Sequence, residues 1–112
     1  MTSVESPFAC DMTAIPADQR GDHLTTIDTL FRSVKSFREM PNGYSFRLTN
    51  DPDILLIAAK FISLERLCCP FLGFSLEIER EGGAVCLALT GREGVKPFIL
   101  AEIGDHLPAN VR

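Results

Sequence analysis

Glu65, Cys68 and Cys69, within E-R-L-C-C-P-F at 65–71, are the residues of this chain best suited to chemistry. At about 100° per residue, the three side chains of a helix ending here fall within about 100° of one another. Pro70 cannot continue that helix and pushes Cys69 toward extended backbone, so both sulfurs can face one locus beside a carboxylate. Thiolate is the preferred ligand of Zn, Cu(I) and Hg(II) and is also the nucleophile of disulfide chemistry. A free Cys is equally a small apolar filler. Glu65 favours the chemical reading, because an acid between Leu64 and Leu67 on an apolar face needs a partner or an ion.

Cys10 and His23 are further donors. A closed four-ligand zinc site would need one of them beside Cys68, Cys69 and Glu65, although the spacing is not that of a paired C-x-x-C site. As a thiol enzyme or redox sensor, the chain would use Cys68 as nucleophile, Glu65 as proton acceptor, and Cys10 or Cys69 as resolving thiol. The carboxylate and the negative end of the helix dipole oppose thiolate formation there, so Arg20 or His23 would have to supply positive charge. Catalysis is therefore the weaker expectation, and no catalytic residue is assigned. Cys86, set between Ala84 and Ala88 on one strand face, reads as structural.

Composition narrows the alternatives. With 112 residues, the chain is one domain that can bury its own core. A net charge of −4, a pI near 5.1 and no basic stripe argue against a nucleic-acid partner. The first ten residues have no basic, apolar signal pattern, and no apolar run approaches the about 20 residues that span a bilayer, so the expectation is a cytoplasmic protein without a membrane segment. In a reducing compartment, metal or redox use of four cysteines is expected ahead of a disulfide framework.

The elements that must position these residues follow from periodicity. Residues 1–15 read as an irregular lead-in carrying Cys10. Pro16 then starts a helix over about 17–33, with Leu24, Ile27, Leu30, Phe31 and Val34 as its apolar stripe and His23 at its flank. Tyr44, Phe46 and Leu48 alternate with polar residues after Pro41-Asn42-Gly43, the signature of a hairpin in which Gly43 supplies a positive φ. Asp51-Pro52-Asp53 caps a second helix running to about Cys68, with Arg66 pointing away. Phe74, Leu76 and Ile78 and then Val85, Leu87 and Leu89 make a second hairpin about Glu81-Gly82-Gly83. A last helix covers about 95–104, and His106 follows in a solvated tail. The fold expected is α+β in the order helix, hairpin, helix, hairpin, helix, with a four-stranded antiparallel sheet covered mainly on one face.

The segment at 65–74, E-R-L-C-C-P-F-L-G-F, resembles the signature of a family of small, uncharacterised bacterial cytosolic proteins. The resemblance extends to Cys10, Arg20, His23, P-N-G-Y at 41–44 and L-T-G-R-E-G-V at 89–95, and it implies no particular activity. The expected function is therefore binding of a thiophilic ion by Cys68 and Cys69 with Cys10, Glu65 and His23 as further donors. A structural or oligomerisation module with packing cysteines, or a homo-oligomer, stands second and a thiol redox protein third; the small residues Ala84, Cys86 and Ala88 can pack under a partner subunit or a helix.

Overall fold

Helix α1 (Arg20–Arg32) is entered through a tighter turn at Ala17–Gln19, after Pro16 has fixed the approach. The structure, a computed structural model, describes residues 6–112. The first five residues of the expected lead-in, and half of the stretch read for a signal sequence, lie outside the described residues. The buried face of α1 is His23, Thr26, Ile27, Leu30 and Phe31, whereas Leu24 is 56% exposed. The expected stripe is thus rotated by about one position at its start, because His23, drawn inward by a partner on another helix, occupies the place assigned to Leu24.

Strands β1 (Ser36–Met40) and β2 (Gly43–Leu48) pair antiparallel around a turn at Pro41 and Asn42. Gly43 does not have positive φ, contrary to the sequence expectation. It is required for space, since a Cβ there would lie 1.9 Å from the Leu89 carbonyl oxygen of the neighbouring strand. Helix α2 (Pro52–Cys68) begins where the Asp51 carboxylate accepts the Asp53 N–H at 2.8 Å, with Pro52 in the first turn. It ends at Cys69, whose N–H donates to the Glu65 carbonyl at 2.8 Å before Pro70 stops the helix.

Strands β3 (Gly73–Ile78) and β4 (Val85–Thr90) form the second hairpin. Glu81 and Gly82 both take positive φ, 59° and 70°, as a type I′ turn requires. Helix α3 (Val95–Ile103) follows. The sheet order is β1-β2-β4-β3, all antiparallel, so the return strand of each hairpin lies in the centre and the two hairpins join along β2 and β4. The architecture is α+β, a four-stranded antiparallel sheet with three helices.

The core is seamed by aromatic edges. Phe31 of α1 meets Phe46 of β2 and Phe61 of α2 edge-on, with centroids 5.4 and 5.2 Å apart, and Val95, Ile99 and Ile103 of α3 are buried alongside. His106 is not in a solvated tail: its Nδ1 lies 3.1 Å from Asp28 of α1 and ties the C-terminal turn to that helix. Helix α2 crosses this core so that its last turn delivers Glu65 and Cys68 into the interior at 1% exposure each.

Candidate metal centre

The periodicity that buries Ala58, Phe61 and Leu64 continues to Glu65 and Cys68, and it is this continuity that carries a carboxylate and a thiol into the protein. Glu65 Oε1 lies 3.4 Å from Cys68 Sγ and Oε2 lies 3.6 Å from Cys69 Sγ, while the two sulfurs are 3.6 Å apart. Arg66 is exposed, as the spacing requires.

The lead-in closes the group from the other side. The Asp11 N–H donates to the Cys68 carbonyl at 2.8 Å, and Cys10 is disulfide-bonded to Cys69 across 59 residues, with Cα atoms 4.8 Å apart. This corrects the expectation of thiols without a disulfide: in this state two of the three clustered sulfurs are linked, and Cys68 and Cys86 are the free thiols. The lead-in is held by more than the disulfide. Arg20 donates from Nε to the Ile15 carbonyl at 3.0 Å and from Nη2 to the Thr13 carbonyl at 3.3 Å. Arg92 donates to the Ser6 carbonyl and covers the Phe8 ring at 4.1 Å, and Phe8 packs edge-on against Phe71. Arg20 therefore anchors backbone here, where the sequence had offered it as a charge partner for the thiols.

Behind the carboxylate stands His23, fully buried, whose Nε2 donates to Glu65 Oε1 at 2.8 Å. Its Nδ1 has no hydrogen-bond partner among the described residues, and its ring lies nearly parallel to that of Phe61. His23 thus fixes the orientation of Glu65. Glu102 of α3 is a residue that sequence reasoning missed. Its Oε1 lies 3.8 Å from Cys10 Sγ. Burial first, and then the charge of Glu65, raise its carboxyl above the ordinary range. The signal was its place three residues after Ile99 on the packed side of a helix that read only as scaffold. Cys86 lies on β4 away from this group, half-buried.

Two carboxylates beside the sulfurs make the site hostile to a free anion. Burial, reinforced by the charge of Glu65 and its hydrogen bond, pushes the Cys68 thiol up to about 12. At neutral pH Cys68 is consequently a neutral thiol, and its alkylation by iodoacetamide is expected to be far slower than that of free cysteine, rising only as pH approaches about 12. Rapid modification of Cys68 at pH 7 in the folded protein would contradict this electrostatic account.

Sγ of Cys10, Cys68 and Cys69 and a carboxylate oxygen of Glu65 all lie within 4.8 Å of one another. The separations involving Cys68 resemble the edges of a metal tetrahedron, about 3.5 Å for S···O and about 3.7 Å for S···S when metal–ligand bonds are about 2.0–2.3 Å. His23 is outside this donor group. No protein-family model, curated protein or solved structure matches the chain. No helix among the described residues is long and apolar enough to cross a membrane.

Proposed function

We propose that, once the Cys10–Cys69 disulfide is reduced, this chain binds a thiophilic cation such as Zn²⁺, Cu(I) or Hg(II) through Cys10, Cys68, Cys69 and Glu65. The observation that carries the reading is the convergence of four donor atoms from the lead-in and the end of α2, with a buried imidazole orienting the carboxylate. A ligating group held in place by an outer hydrogen bond is what a metal site requires. The charge balance points the same way. A bound cation would offset Glu65 and replace the thiol protons that burial holds on, so binding releases protons and weakens as pH falls. The raised pKa of Cys68 disfavours a thiol nucleophile acting without a metal.

The disulfide supports a second reading, in which Cys10 and Cys69 staple the lead-in and Cys68 only packs. The two readings separate when protein reduced with a phosphine is titrated with Zn²⁺, Cu(I) or Hg(II) and its thiols are counted by alkylation. One ion per chain protecting Cys10, Cys68 and Cys69, with Cys86 still reactive, is the expected result. If no metal is retained through desalting, or if all four thiols alkylate at unchanged rates, the metal reading fails.

A further inference from the structure

We propose that the sheet face bearing Cys86 is a weak, charge-directed interface with a second copy of this chain, packed about a two-fold axis parallel to the strands. On β4, Val85, Leu87 and Leu89 are buried while Cys86, Ala88 and Thr90 remain partly exposed on the opposite face. The register aligns that face in rows: Ser36, Arg47, Cys86 and Glu77 form one, and Arg38, Ser45, Ala88 and Ser75 the next. Ser45, Cys86 and Ala88 are small and leave two adjoining depressions of about 200 and 90 Å³, with Arg38 and Arg47 lining the larger and Arg38 and Glu77 the smaller. A facing surface can approach closely there.

Charge on this face is divided by strand. Arg38 and Arg47 are exposed on β1 and β2, and Glu77 is exposed on β3 at the far edge. None of the three has an ion pair or side-chain hydrogen bond among the described residues. A face with a positive half and a negative half is complementary to itself in one of the two simple face-to-face arrangements. Rotation about an in-plane axis parallel to the strands exchanges the β1 edge with the β3 edge, setting the arginines of one copy over the Glu77 side of the other. Rotation about an in-plane axis perpendicular to the strands sets like charges together and is disfavoured. The isologous geometry also makes each contact occur twice.

Four strands about 4.8 Å apart and about 20 Å long present roughly 400 Å² per copy, an area typical of weak association. The interaction is therefore expected to be concentration-dependent and salt-sensitive. Charge reversal tests it. An acidic variant, Arg38→Glu with Arg47→Glu, and a basic variant, Glu77→Arg, would be compared with wild type by sedimentation over a micromolar-to-millimolar series, with circular dichroism confirming the fold. Wild type is expected to dimerise, each variant alone to self-associate at least about 10-fold more weakly, and an equimolar mixture to recover a heterodimer. A wild type that stays monomeric throughout, variants that dimerise like wild type, or a mixture that stays monomeric would overturn the proposal. The outcome is independent of the metal site.

Discussion

Replacing Glu65 with leucine is expected to lower the unfolding free energy of the disulfide-intact protein by about 1–3 kcal/mol, the cost of leaving a buried polar group without its partner. Glu65 and His23 are buried to 1% and 0% exposure and joined by a 2.8 Å hydrogen bond. Because His23 Nδ1 has no partner among the described residues, losing the carboxylate would leave the imidazole with none of them at either nitrogen. Glu65→Gln retains an acceptor oxygen for Nε2 and should cost about 1–2 kcal/mol. Replacing both residues, His23→Leu with Glu65→Leu, removes the polar atoms together and should recover much of the single-variant loss. Urea unfolding of wild type, these three variants and His23→Leu, with the disulfide confirmed by mass, measures the coupling. A Glu65→Leu protein within 1 kcal/mol of wild type would show that the pair does not hold the helices as argued.

How far these features could be read beforehand depended on whether their cause was local. The cap at Asp51-Pro52, the end of α2 at Cys68 and the inward direction of Glu65 follow from turn chemistry and a 3.6-residue period, both of which the chain carries within a few residues. The burial of His23 in place of Leu24 was not legible, because hydropathy ranks leucine as the interior residue and the force that reverses the order is a partner 42 positions away. Gly43 was legible as an obligatory glycine but for the wrong reason. The turn did not need positive φ; the neighbouring strand needed the missing Cβ, and that neighbour was unknown until β2 was found beside β4. The same long-range dependence hid Glu102 and the Cys10–Cys69 disulfide. Residue type alone names Cys10 as a further donor, and the cluster includes it, but only the folded chain sets its sulfur against Cys69.

Reduction of that disulfide should produce the second large effect, and its reversal by metal would join the stability of the protein to its proposed function. Closing a 59-residue separation restricts the unfolded chain by about 4 kcal/mol in the chain-entropy description, so a phosphine should lower stability by up to that amount. The lead-in would retain its contacts through Arg20, Arg92 and Phe8, which do not involve sulfur. If the reduced thiols and Glu65 then take up a cation, binding stabilises the native state by about 4 kcal/mol at a free metal concentration about 1,000 times the dissociation constant. Metal should therefore restore the reduced protein to near the stability of the oxidised one, with a denaturation midpoint that rises with metal concentration. Cys68→Ser should leave the oxidised stability nearly unchanged, because Cys68 is outside the disulfide, yet weaken the metal-dependent recovery by at least about 100-fold in required concentration. Cys86→Ser should do neither, since that sulfur lies on the opposite side of the sheet. Recovery by metal that is indifferent to Cys68 would place the ion elsewhere, whereas no recovery in the wild type would leave Cys10 and Cys69 as a structural staple.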